Sequence, residues 1–258
     1  MSANKVVAKK HLGQHFLTDH NIARKIAGAL DPLPADRNVI EVGPGMGVLT
    51  QFLIENNVNL TVAEIDHESV AYLREHFPAL KDRIISGDFL QLDLSTILDQ
   101  QGGVIGNFPY NISSQILFHC LDYRPQVSEI VGMFQKEVAE RIASVHGNKT
   151  YGILSVLMQT YYDTTYLFTV HEHVFSPPPK VKSAVIRMVR RETSGLNVPD
   201  KFFKTVVKTA FNQRRKTLRN ALKPLFKGTA PDHPFMDKRA EQLSIAEFST
   251  LAQLIHEQ

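Results

Sequence analysis

With 258 residues, 43% of them hydrophobic and 21% charged, the chain has the make-up of a folded globular protein with room for one large domain and a small second one. Its single cysteine, Cys120, excludes an internal disulfide and any metal site built on several thiolates, and a net charge of +3 permits a polyanionic partner without requiring one. No long apolar run follows the basic N-terminus, so a cytoplasmic protein without a membrane span is expected.

Short apolar runs at 38–42, 60–65 and 83–86 alternate with helical patterns at 49–54 and 70–76, which predicts βαβ units around a mainly parallel sheet. Further strands are expected at 103–107, 129–134, 165–170 and 184–189, with helices at 113–121 and 136–144 between the earlier ones. No helical pattern separates the last two strands, which are expected to pair as an antiparallel hairpin through Pro177, Pro178 and Pro179. After Arg191 the composition shifts. Residues 192–199 read as a linker, and the remaining C-terminal stretch is helical and rich in Lys and Arg, so the domain division expected is 1–191 and 192–258. Ser244 followed by Glu247, ahead of Phe248, Leu251 and Leu254, is a capping box opening an apolar-periodic helix.

The first strand runs into Glu41-Val42-Gly43-Pro44-Gly45-Met46-Gly47, a glycine turn where a nucleotide can approach the backbone closely. Val48 stands where a dinucleotide site needs its third glycine, which disfavours NAD. Glu64, about 20 residues beyond the loop, is placed to accept hydrogen bonds from both ribose hydroxyls, with Asp66 as the second candidate. At the end of the third strand Asp88 can accept from an adenine amino group while Phe89 packs near the ring. Signals at the carboxyl ends of three successive strands favour a nucleoside-bearing cofactor.

The fourth strand ends in Asn107-Phe108-Pro109-Tyr110, which resembles the (Asn/Asp/Ser)-Pro-Pro-(Tyr/Phe) motif of adenine-N6 methyltransferases, in the Asn-Leu-Pro-Tyr form of the ribosomal RNA adenine dimethyltransferase family. The chemistry is intelligible: the amino nitrogen of adenine is a poor nucleophile, so positioning matters most. The Asn107 side-chain oxygen and the Phe108 carbonyl can each accept one amino N–H, Pro109 fixes the turn, and Tyr110 offers a face to a base drawn out of its stack.

Three more segments carry the same resemblance, which spans nearly the whole chain. Residues 11–19, His-Leu-Gly-Gln-His-Phe-Leu-Thr-Asp, are similar to the family's Gly-Gln-Asn-Phe-Leu segment beside the cofactor, with His15 in place of Asn. Residues 175–185 are similar to its Phe-x-Pro-x-Pro-Lys-Val-Asp-Ser-Ala-Val, with Lys182 in place of Asp, and Phe175 would stack on the base opposite Tyr110. Residues 211–220 look like its Phe-x-x-(Arg/Lys)-Arg-Lys-x-Leu-x-Asn segment, read as a cationic helix start, and Lys180, Arg214, Arg215, Lys216 and Arg219 belong to a basic excess between Lys180 and Lys223 suited to RNA phosphates.

The resemblance implies a Rossmann-like class I S-adenosylmethionine-dependent methyltransferase domain of the α/β class, followed by a small all-helical domain. It implies His15, Leu17, Gly43, Gly45, Glu64, Ile65, Asp88, Phe89 and Asn107 around S-adenosylmethionine. It further implies dimethylation of two adjacent adenosines near the 3′ end of 16S rRNA in the 30S subunit, by a monomer that uses no metal. The alternatives are a 23S rRNA adenine-N6 methyltransferase of the antibiotic-resistance type and a non-catalytic RNA-binding assembly factor. His119, His171 and His173 have no metal-ligand spacing and are read as core or surface residues.

Overall fold

The computed structural model describes residues 6–30, 37–99 and 101–258. They form two compact units, one made by the chain up to Ala139 together with Thr165–Arg190, the other by Glu140–Thr164 together with Arg191–Gln258. The last crossing falls beside the expected boundary near residue 192. The structure differs in giving Glu140–Thr164 to the second unit as well.

In chain order the first unit holds β1 (Phe16–Leu17), α1 (His20–Ala27), β2 (Asn38–Val42), α2 (Thr50–Glu55), β3 (Asn59–Glu64), α3 (His67–His76), β4 (Ile84–Ser86), β5 (Gly102–Asn107), α4 (Ser113–Asp122) and β6 (Val127–Gln135). The chain then runs through α5 (Lys136–Ile142) and α6 (Ile153–Tyr161), returns in β7 (Tyr162–Val170), and continues with β8 (Phe175–Ser176) and β9 (Ser183–Arg190). The second unit is completed by α7 (Asp200–Asn212), α8 (Leu218–Ala221) and α9 (Ile245–His256).

The main sheet has the order β4-β3-β2-β5-β6-β9-β7. Strands β4 through β6 in that order are parallel, and β9 joins β6 antiparallel, with Gly132 opposite Ile186. Val39, Ile40, Val104, Ile105, Ile130 and Val131 are all completely buried, which is why these strands read as continuous apolar runs rather than alternating ones. β7 and β9 are neighbours, as expected, and the later strand lies inside the earlier one. The segment between them is used elsewhere: β8 pairs antiparallel with β1, Leu17 opposite Phe175.

Parallel strands deliver their carboxyl ends to one edge of the sheet, so the ends of β2, β3, β4 and β5 converge there. Near the opposite ends of the strands lies a buried ion network. Glu129 accepts from Arg37 at 2.7 Å and from Arg187 at 2.6 Å, and Arg37 also donates to Ser128 Oγ at 2.7 Å. It ties the residue preceding β2 to β6 and β9.

In the second unit Phe203, Val206, Val207, Phe248 and Leu251 are fully buried, and Phe211 stacks on Phe248 with ring centroids 5.7 Å apart. The capping box opens α9 as read: Ser244 N–H donates to Glu247 at 2.8 Å and Glu247 N–H to Ser244 Oγ at 3.2 Å. Two features depart from expectation. α6 had no helical signature because seven of its nine residues are buried, which erases the polar stripe that betrays a helix. Arg214, Arg215 and Lys216 lie in the turn between α7 and α8, not at a helix start.

Because Arg37 and Glu129 are 4% and 2% exposed, Glu129→Ala leaves a buried guanidinium without its counter-charge. Chemical denaturation is expected to show a loss of about 3 to 5 kcal/mol.

Candidate active site

At the carboxyl edge of the sheet lies a cavity of about 250 Å³. Gly43, Glu64, Ile65, Asp88, Phe89, Asn107 and Pro109 line it, and His15 closes it from the N-terminal side with Gln14 and Phe16.

The glycine turn and Glu64 hold each other. Glu64, 3% exposed, accepts from the Gly45 N–H at 3.0 Å and from the Asp66 N–H at 2.9 Å. Gly43 and Gly45 have φ of 67° and 56°, and a Cβ on Gly45 would sit 2.8 Å from the Phe16 ring, so only glycine serves there. Burial pushes the Glu64 carboxyl above the usual carboxylate range, against the pull of the Asp66 and Gly45 N–H groups. Gly45 thus acts through its backbone on Glu64.

Asp66, the second candidate for the ribose, is otherwise engaged. It caps α3 through the Glu68 N–H and accepts from Ser69 Oγ at 3.1 Å, from Gln14 at 3.4 Å and from Lys9. Burial opposes its charge, yet Lys9, Gln14 and Ser69 together hold its carboxyl below the ordinary value. Its work is to anchor the N-terminal segment. The sequence does not single out Lys9, since one lysine of a basic N-terminal stretch carries no spacing that points to Asp66.

Asp88 Oδ1 accepts from the Leu90 N–H at 2.9 Å, which turns the chain after β4 and seats Phe89, 4% exposed, in the cavity wall. His119 meets the Phe89 ring edge-on at 5.2 Å, its Nε2–H donating to the Leu92 carbonyl at 3.0 Å. Ile65, 47% exposed, gives the cavity an apolar rim.

Asn107 ends β5 with its side chain in the cavity. Its Nδ2–H donates to the His15 carbonyl at 2.8 Å, so that half of the amide is committed to the protein and Oδ1 is the half that accepts. The Phe108 ring is 1% exposed and meets Phe134 edge-on at 5.2 Å, leaving only its backbone to a ligand. Gly132 makes the room: a Cβ there would lie 2.5 Å from the Phe108 ring. The Tyr110 hydroxyl is hydrogen-bonded to Ser183 Oγ, and burial pushes the phenol up, so the ring stays neutral.

Two expected site residues are buried and do not line this cavity. Leu17 and Phe175, 5% and 4% exposed, pack in the core with Val170, because pairing of β1 with β8 turns both side chains inward. The ring found beside Tyr110 is His15, stacked at 5.4 Å and 28°. Its Nδ1–H donates to the Pro177 carbonyl at 2.8 Å. Phe175, expected to stack opposite Tyr110, is buried here, and no ring contact joins it to Tyr110 among the described residues.

Of the basic residues, Lys180, Arg215, Lys216 and Arg219 are exposed. Arg214 donates to the Asn148 carbonyl at 3.4 Å, and Arg219 pairs with Asp237 at 3.3 Å. Among the described residues no group of three or more His, Cys, Asp or Glu could hold a metal, and no helix is long and apolar enough to cross a membrane.

The family model described as ribosomal RNA adenine dimethylase matches residues 6–257. The ribosomal RNA small subunit methyltransferase A of Parabacteroides distasonis is 60% identical over 95% of this chain and 93% of its own length. That of Cytophaga hutchinsonii is 57% identical over 97% and 98%. Among solved structures, a dimethyladenosine transferase from Plasmodium falciparum aligns with a TM-score of 0.78 at 24% identity, over 94% of this chain and 98% of that one. The 23S rRNA methyltransferase ErmE aligns with a TM-score of 0.65 at 23% identity, over 93% and 99%. At such identities both speak to the fold.

Glu41, beneath the glycine turn, is 1% exposed, and burial pushes its carboxyl up to about 8, against a hydrogen bond from Thr50 and with added repulsion from Glu64. The folded state then holds a proton that the unfolded state releases. That stabilisation is complete below the unfolded carboxylate value and is lost as pH rises toward 8. Compared with Glu41→Gln, the wild-type denaturation midpoint is expected to fall between about pH 5 and pH 8; parallel pH profiles would contradict this.

Proposed function

The chain belongs to the ribosomal RNA adenine dimethylase family, and on that premise we propose that it carries S-adenosylmethionine's methyl groups to the N6 atoms of two adjacent adenosines near the 3′ end of 16S rRNA. The observation that carries the reading is the split amide of Asn107: its nitrogen is held by the His15 carbonyl, and its oxygen is left for an amino N–H at the cavity.

The cavity fits the cofactor. Glu64 holds the ribose hydroxyls, Asp88 takes the adenine amino group, and Ile65 and Phe89 supply apolar walls for the base. When bound, S-adenosylmethionine supplies a sulfonium methyl, already strongly electrophilic.

What the protein adds is orientation. Asn107 Oδ1 and the Phe108 carbonyl accept the two amino N–H groups of the target and turn the nitrogen lone pair out of conjugation with the ring. After one transfer only one N–H remains, so the base must be held by its faces as well. Tyr110 provides that contact, its tilt set by Ser183 and by the His15 ring. A neutral amide is a poor base, so the displaced proton leaves to water.

Lys180, Arg214, Arg215, Lys216 and Arg219 bind RNA phosphate in this reading. Support comes from the distribution of charge: the second unit carries 14 Lys and Arg against 9 Asp and Glu, the first 15 against 17. A monomer acting on the 30S particle in the cytoplasm completes the proposal. The 23S alternative rests on a likeness of 23% identity, against relatives at 54 to 60% identity named for the small subunit. A non-catalytic role leaves the Asn107 geometry without a purpose.

Asn107→Ala is expected to slow single-turnover methylation of both unmethylated and monomethylated substrate roughly 10- to 100-fold while cofactor affinity holds. Normal rates on both substrates would refute the mechanism. Glu64→Ala is expected to weaken S-adenosylmethionine binding by about 1 to 3 kcal/mol in calorimetry; unchanged affinity would remove the ribose assignment.

A further inference from the structure

Between the proline run and β9 the chain exposes Lys180, Val181 and Lys182 in succession, Val181 at 46%. Among the described residues neither lysine is paired with a carboxylate, whereas Lys9, Arg187, Arg219 and Lys238 all are. The tip is also stiff. The Lys182 carbonyl accepts from the Lys136 N–H at 2.9 Å, the Pro177 carbonyl accepts from His15, and Pro179 is buried between them.

The next residue is Ser183, which is fully buried and holds the Tyr110 hydroxyl. One peptide unit therefore separates an unpaired cation from the residue that sets the stacking ring. A base drawn out of a strand rotates about its backbone, so its own phosphates stay at the mouth of the pocket as the ring goes in. A stiff tip bearing two free ammonium groups around an exposed apolar side chain suits such a stretch, with charge for the phosphates and Val181 for the sugar.

We propose that Lys182 is a phosphate-binding residue which, with Lys180, grips the RNA backbone beside the extruded adenosine. The inference rests on the RNA-methylating reading above and adds to it a specific contact at the target nucleotide.

Binding of an RNA hairpin with the 3′-terminal sequence of 16S rRNA, measured over a range of salt, tests it. Loss of one phosphate contact reduces the slope of log affinity against log salt by about 0.7 to 0.9. Lys182→Ala is expected to show that reduction, with S-adenosylmethionine affinity by calorimetry unchanged, and Lys182→Arg to restore the slope. Lys81→Ala, which removes an exposed charge elsewhere on the same unit, is expected to leave it alone. A wild-type slope in Lys182→Ala, or an equal reduction in Lys81→Ala, would overturn the assignment while the methylation reading stands. A wild-type protein that neither binds the hairpin nor labels 16S rRNA would overturn both.

Discussion

An amide side chain has two ends, and the active site depends on which end the protein claims. Left free, Asn107 could turn either its oxygen or its amino group into the cavity, and only the first could accept the target amine of the proposed reaction. The His15 carbonyl removes the choice by accepting from Nδ2. That bond needs the N-terminal segment in place, and the segment is fastened at both ends, by Lys9 and Gln14 to Asp66 and by the pairing of β1 with β8. Orientation of one side chain thus depends on strands far apart in sequence.

The same edge of the sheet concentrates acids that would be costly if left alone. Glu41, Glu64 and Asp66 are all at most 3% exposed within a short stretch of chain ends. Each is handled differently: Glu41 is pushed toward its protonated form with one hydrogen bond from Thr50, Glu64 is held by two backbone N–H groups, and Asp66 is paired with Lys9. Of the three only Glu64 lines the cavity, so it is the Glu64 carboxylate, desolvated and held by backbone N–H groups, that a cationic cofactor would meet there.

Much of this was legible in the sequence, and the exceptions share a cause. Strands β2, β5 and β6 announced themselves because burial on both faces demands nearly unbroken apolar runs, and Gly43, Glu64, Asp88 and Asn107 because they sit at or just past the ends of strands that meet by construction. Long-range pairing was not legible. Nothing local in Leu17 or Phe175 tells that β1 and β8 will pair and turn both inward, nor that His15 will come to rest on Tyr110. α6 hid for a related reason, since a helix enclosed on nearly all sides keeps no polar face to give it away.

The proposed function is a position on an RNA as much as a reaction. Incubating the protein with methyl-labelled S-adenosylmethionine and 30S subunits from cells lacking this methylation, then mapping the label nucleotide by nucleotide, tests it most directly. Two neighbouring N6,N6-dimethyladenosines near the 3′ end of 16S rRNA are expected. Label confined to 23S rRNA, or no transfer by protein that binds the cofactor, would contradict it.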